Sequence, residues 1–238
     1  MSTKLYSYLI LKVIPFVRFS MYYTDFRGDK YHEGYACLKE GCMIGTIDYK
    51  KLTGILIPKV TGGILSHAAY CVAKRDPKEY DTLYATVNPV EGHGSGLEVA
   101  EMTHLHYTFS DFFDICKESD RVIIFRCLDW DELFIKRMTK RILSFRISKY
   151  DPAFKLDGSP LEFLYCSEMI YQADRLENGG EKPRISADVT DLMGLGRPYI
   201  SPDGLLTADN VIVVWDSKGE FTGMTGNQVS EIVFGKAK

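Results

Sequence analysis

Apolar positions along this chain come in short runs cut by Gly, Pro and Asp, and most runs have strand length. Arg121 to Leu128 (RVIIFRCL) is apolar almost throughout and reads as a strong strand. Ser66 to Ala73 alternates weakly, follows the turn Thr61-Gly62-Gly63, and has the composition of a buried strand. Asp76-Pro77 then breaks the chain. Thr82 to Val90 (TLYATVNPV) reads as the next strand, antiparallel to the previous one across a hairpin-like loop. The glycines of Gly92-His93-Gly94-Ser95-Gly96 make a turn, and Leu97 to Met102 is a third strand. Gly41 to Ile57 predicts short strands around a turn at Leu52-Thr53-Gly54. Val211 to Trp215 is a further strand, and a last apolar run lies near Ile232 to Phe234.

Helical spacing is confined to fewer places. Phe109 to Lys117 predicts a short helix. Trp130 to Lys149 predicts a longer one, with Leu133, Ile135, Met138, Ile142 and Phe145 on its apolar side. A third runs from Leu161 or Cys166 to Arg175, after a loop at Asp157-Gly158-Ser159-Pro160. Leu5 to Tyr23 is apolar and reads as an N-terminal helix broken near Pro15. The sum is an α+β fold, a mainly antiparallel sheet with helices packed on it, to one side. No repeat or long linker appears, so residues 1–238 are expected to form one domain, with a helical extension over 1–35 and a core over 41–217.

Composition narrows the partners. At 238 residues and 45% hydrophobic, the chain has ample material for a core. A net charge of −3 gives no electrostatic case for nucleic acid. The densest basic stretch, Lys136-Arg137-Met138-Thr139-Lys140-Arg141, falls on the long predicted helix and reads as a solvated face. The N-terminal apolar run is interrupted by Lys12, Pro15 and Arg18, and no cleavage site follows, so it is a poor membrane span. A helix packed on the domain is expected there, with peripheral membrane contact as the alternative. The six cysteines contain no CxxC pair, which disfavours a zinc ribbon or a redox motif. Reduced thiols and a cytoplasmic location are the corresponding expectation.

Two segments carry chemistry. His67 opens a strand after a tight glycine turn. Cys166, in Tyr165-Cys166-Ser167-Glu168-Met169, stands at the first turn of an amphipathic helix. The positive end of that helix and its free backbone N–H groups favour thiolate over thiol, and the same groups suit an oxyanion. Taken alone, each residue has a plainer reading: a small buried hydrophobe and a structural histidine. Ser167 and Glu168 read as residues of the first helical turn. Together the two are the minimum set for thiol nucleophilic catalysis, which also needs a third group to orient the imidazole. If the histidine strand pairs with Thr82 to Val90, Asn88 or Glu91 comes near His67. Two weaker constellations compete. His104 and His106, with Glu101 or His93, have loose zinc-like spacing. The Gly92 to Gly96 loop lacks the Lys-Ser/Thr of a phosphate loop and reads as a turn.

Several segments together carry a family resemblance: Gly63-Ile64-Leu65-Ser66-His67-Ala68-Ala69; Val90-Glu91-Gly92 before Gly96-Leu97-Glu98-Val99; and Tyr165-Cys166-Ser167-Glu168-Met169-Ile170-Tyr171-Gln172-Ala173. With Tyr150-Asp151-Pro152-Ala153-Phe154 and Ser201-Pro202-Asp203-Gly204-Leu205-Leu206, the chain resembles the permuted papain-like enzymes of the NlpC superfamily. It is most similar to the YiiX/YebB-like group, with its poxviral and phage members. The resemblance spans about Gly41 to Trp215. It implies a circularly permuted papain-like core, histidine strand first and cysteine helix later. Cys166 would be the nucleophile, His67 the base and Glu91 the third residue, with Asn88 the runner-up. The sequence departs from the family at Glu40-Gly41-Cys42-Met43, where an acid often follows the glycine.

The resemblance implies a thiol hydrolase or acyltransferase acting on a peptide, amide or lipid-like acyl substrate, with no cofactor and no metal. A catalytically silent papain-like domain with a binding or structural role is the alternative. It is told apart by an unreactive Cys166 that does not hydrogen-bond His67. The oligomeric state stays open.

Overall fold

The structure is a computed structural model that describes residues 28–74, 97–104, 106–152, 154, 156, 161–191 and 198–235. Helix α1 is Gly28–Cys37, followed by strand β1, Met43–Ile47, helix α2, Leu52–Thr61, and strand β2, His67–Lys74. Strands β3, Leu97–Met102, and β4, Tyr107–Asp111, lead into helix α3, Phe112–Glu118, and strand β5, Arg121–Cys127. Helix α4, Glu132–Ser144, is followed by the two-residue strands β6, Lys149–Tyr150, and β7, Phe163–Leu164, and by helix α5, Cys166–Glu177. The remaining elements are β8, Val189–Asp191, β9, Pro198–Ile200, α6, Pro202–Leu206, β10, Val211–Asp216, and α7, Gly226–Phe234.

Six strands form one antiparallel sheet in the order β10-β5-β1-β2-β3-β4. Helices cover both of its faces, not one as the hydrophobic pattern suggested. Met43, Tyr70, Ile123 and Phe125 turn to the face carrying α4 and α5. Ile44, Ala69, Val122 and Ile124 turn to the face carrying α1 and α3. Two-sided burial is why β5 reads as a continuous apolar run without alternation. Phe221 and Val229 join the first of these cores, so packing continues beyond Trp215.

Three local expectations are corrected. Leu52-Thr53-Gly54 opens a helix, not a turn between strands. Pro58 inside α2 and Gly54 near its start hide the helical signal. Gly54 is needed because a Cβ there would stand 1.6 Å from the Asp48 carbonyl oxygen. Phe109 to Asp111 belong to β4, and the short helix begins only at Phe112, with the Asp111 carboxylate accepting from Phe113 N–H. In α4 the Asp131 side chain accepts from Phe134 N–H and sets the phase. Phe134, Met138 and Ile142 are buried, whereas Leu133 is 65% exposed.

Cys71 and Cys127 are core residues as expected, and none of the six cysteines is joined in a disulfide. Among the described residues no helix is long and apolar enough to cross a membrane. Leu5 to Tyr23, Thr82 to Val90, Gly92 to Gly96 and Asp157 to Pro160 lie outside the described residues.

Helix α5 is fixed along its length. Met169, Ile170 and Ala173 are fully buried against the core. Toward its end the buried Asp174 carboxylate accepts from Trp130 Nε1 (2.9 Å), Arg184 N (2.8 Å) and Ile185 N (2.8 Å). Asp174→Ala strands three donors and is expected to cost about 3 kcal/mol, read as a lower urea midpoint at unchanged m.

Candidate active site

Local backbone chemistry places His67 first. Helix α2 ends at Gly62 in the left-handed region (φ 73°), which turns the chain back toward the sheet. Ser66 then anchors the strand entry: its N–H (2.9 Å) and its Oγ (3.0 Å) both donate to the Thr46 carbonyl. His67 follows as the first residue of β2, opposite Thr46 of β1.

The other edge of β2 pairs with β3, with Ala69 opposite Glu101. His67 and Ala69 share a side of the strand by alternation, and Glu101 shares the side of its partner Ala69. Glu101 is therefore a diagonal neighbour of His67, within reach of a long side chain. The two meet, with His67 Nε2 2.8 Å from Glu101 Oε2. Ser110 of β4 donates a second hydrogen bond to Glu101. With Nε2 donating to the carboxylate, Nδ1 is the ring nitrogen open to a thiol.

Cys166 is the first residue of α5. Tyr165 precedes it as an extended N-cap with no side-chain cap, so the helix start presents backbone N–H groups to the site. Two side chains tie this end to β9. Tyr165 Oη accepts from Ile200 N (2.9 Å), and Ser167 Oγ donates to Ile200 O (2.7 Å). Ser167 is thus an anchor for the cysteine rather than a cap. Glu168 accepts from Gln172 Nε2 at 3.2 Å, one turn along.

Cys166 and His67 line the same cavity, and apart from burial each is the strongest influence on the other's titration. Burial alone would push the Cys166 thiol up. The His67 charge and hydrogen bond, with the N–H groups of Ala68 and Ser167, outweigh it and hold the thiol below its ordinary value. Burial also works against an imidazolium, yet Cys166 and then Glu101 raise His67. Glu101 is likewise lowered against burial, by the His67 hydrogen bond and charge, then by Ser110 and Lys51. The three shifts agree in direction, each toward the charged form: thiolate, imidazolium and carboxylate. Cys116 and Cys127 are pushed up instead, Cys127 to about 12, by burial without a cationic partner.

A cavity of about 560 Å³ opens over the pair. Cys166, His67, Ser66 and Tyr150 line one side of it, and Ile57 and Gly54 of α2 another. Lys51 crosses its polar end, 3.0 Å from Asp48 Oδ2 and 2.9 Å from Glu118 Oε2.

The expected pair Cys166 and His67 is brought together across the fold. The expected third residue is not confirmed at Glu91 or Asn88, which lie outside the described residues. The place beside His67 is taken by Glu101, because β3 pairs with the edge of β2 away from β1. The signal for it was a carboxylate on the row Leu97, Val99, Glu101 of a strand already recognised. In the sequence Glu101 reads only as a zinc partner for His104 and His106. Here its carboxylate is turned to His67, and His104 lies farther along the cavity wall. His93 lies outside the described residues. Among the described residues no group of three His, Cys, Asp or Glu side chains is placed to hold a metal.

Comparison with protein-family models and with curated proteins finds no match. Among solved structures, the chain is similar in fold to the metalloprotein YiiX from Escherichia coli O157:H7. The TM-score is 0.53 at 13% identity, over 74% of this chain and 96% of that one. The fold is YiiX-like. The strand that carries His67 precedes the helix that carries Cys166, an order consistent with a permuted papain-like arrangement.

Proposed function

We propose that this chain is a cysteine-dependent hydrolase or acyltransferase of the NlpC superfamily, acting on an amide or ester carbonyl. The observation that carries the reading is that Cys166 and His67 meet at the wall of an open cavity, with the imidazole hydrogen-bonded on its far side to the Glu101 carboxylate. A silent domain has no need of a carboxylate to orient the imidazole that faces its cysteine.

In this reading the Cys166 thiolate attacks the carbonyl carbon. Backbone N–H groups at the start of α5 receive the oxyanion. As the tetrahedral intermediate collapses, His67 gives its proton to the departing amine or alcohol, leaving a thioester on Cys166. Water or a second acceptor then gives its proton to His67 and takes the acyl group, restoring the thiol pair. Glu101 touches neither reacting atom. It holds the ring orientation and balances the imidazolium. Peptides, cell-wall peptides and lipid-like acyl groups all present such a carbonyl. YiiX is described as a metalloprotein, but the donors at this site are engaged with one another, so no step is assigned to a metal.

The test is a thioester trap. Wild-type protein and Cys166→Ala are incubated with a panel of activated acyl esters and amides, then read by intact mass and peptide mapping. An acyl group carried on Cys166, and absent from the variant, is the expected result. No adduct and no turnover with any donor would move the reading to a binding or structural role.

A further inference from the structure

One buried carboxylate outside the reacting chain sits where both halves of the pair are anchored. Asp203, in α6, is fully buried. Its Oδ1 accepts from Ile64 N (2.8 Å) and Leu65 N (3.0 Å), and its Oδ2 lies 3.3 Å from Leu65 N. Those amides belong to the turn that delivers His67. The approach is so close that a Cβ on Gly63 would stand 2.1 Å from Asp203 Cγ, which only glycine permits.

Three residues upstream, Ile200 holds the other half. Its N–H and its carbonyl are the groups bonded to Tyr165 and Ser167, the residues on either side of Cys166. Between them, Ser201 Oγ accepts from Gly204 N at 2.8 Å and fixes the start of α6. Tyr199, one residue before Ile200, feels the charges of both Cys166 and Asp203, which places the short segment against both.

We infer that the segment from Ile200 to Asp203 is a brace that sets the sulfur–imidazole separation, and that Asp203 is a positioning residue for His67. Ile200 grips the cysteine helix and Asp203 grips the histidine turn. β2 and α5 also pack directly in one core, and the segment adds a polar link between the turn that delivers His67 and the residues flanking Cys166. The carboxylate suits the task because one oxygen takes two successive backbone donors, and charge-assisted bonds are the stiffer ones. Asp203 touches no reacting atom and acts through Ile64, Leu65 and the strand entry. This inference rests on the proposed Cys166–His67 pair.

The experiment compares full-length wild type, His67→Ala, Asp203→Asn and Asp203→Ala. Iodoacetamide labelling of Cys166 is followed across pH by peptide mapping, with circular dichroism as the check on folding. If the brace acts as inferred, Asp203→Ala raises the midpoint of Cys166 labelling by about one pH unit, and Asp203→Asn by a smaller step. Asp203→Asn fills the same space and keeps one acceptor, so its shift alone decides the matter if the alanine variant does not fold. A purely structural carboxylate would lower thermal stability and leave the midpoint where it is. A wild-type midpoint in either folded variant overturns the brace while leaving the pair intact. A wild-type Cys166 indifferent to His67→Ala overturns the proposed function itself, and the brace with it.

Discussion

Replacing His67 with alanine is expected to slow alkylation of Cys166 at pH 7 by about a hundredfold. Cys166 is only 5% exposed, and burial by itself raises a thiol. What holds it down is first the His67 charge and hydrogen bond, then the Ala68 and Ser167 N–H groups. Removing the imidazole leaves burial opposed by two backbone donors alone, so the thiol titrates near or above the ordinary value of about 8.5. The signs fix the shape of the wild-type profile. Cys166 is lowered, so the thiolate is lost as pH falls through its folded pKa. His67 is raised, so the imidazolium is lost as pH climbs through its own. The ion pair, and whatever stability it adds, occupies the window between. Labelling should be flat across that window in wild type and climb steadily with pH in His67→Ala. Rate constants for both proteins between pH 5 and 10, by peptide mapping, settle it. Equal rates at pH 7 would exclude an activated pair.

Replacing Glu101 has the next largest effect. Its carboxylate takes the Nε2 proton at 2.8 Å and so fixes both tautomer and ring plane. Glu101→Ala frees the ring and strips the imidazolium of its counter-charge. The acylation rate of Cys166 should fall by about a hundredfold. Glu101→Gln keeps an acceptor but no charge, and should lose about tenfold while the upper edge of its pH window, set by His67, moves down. His67 does most to hold this carboxylate low against burial, and Ser110 from β4 and Lys51 from the α2 entrance add to it. Single-turnover acylation with an activated ester measures each variant. An unchanged rate in Glu101→Ala would remove Glu101 from the account and reopen the third position.

The contrast between Glu101 and Glu91 shows what the sequence can hold. Cys166 and His67 were legible because each belongs to a local pattern: a cysteine at the head of an amphipathic helix, and a histidine after a glycine turn. The strand Leu97 to Met102 was legible too. Its pairing was not, since register is a property of two strands and a one-residue slip would reverse every side chain. Nearness along the chain favoured Thr82 to Val90 as the partner of β2. The fold instead closes a longer excursion and sets Ala69 opposite Glu101. Helix α2 was hidden for a related reason. Gly54 and Pro58 look like breakers in sequence, yet Gly54 is there to clear the Asp48 carbonyl, a contact no window of sequence contains. Leu133 and Phe134 exchanged roles because the true N-cap, Asp131, shifts the phase of α4. Asp203 was noticed as part of a segment, and its grip on Ile64 and Leu65 spans the whole length between the two motifs.

The most direct test of the central claim is the labelling rate of Cys166 in wild type across pH, with the other five cysteines as internal controls. The account predicts fast labelling of Cys166 well below pH 8, despite its burial, while the buried Cys116 and Cys127 stay unlabelled. Labelling of Cys166 no faster than that of half-exposed Cys37, rising only as an ordinary thiol ionises, would contradict it.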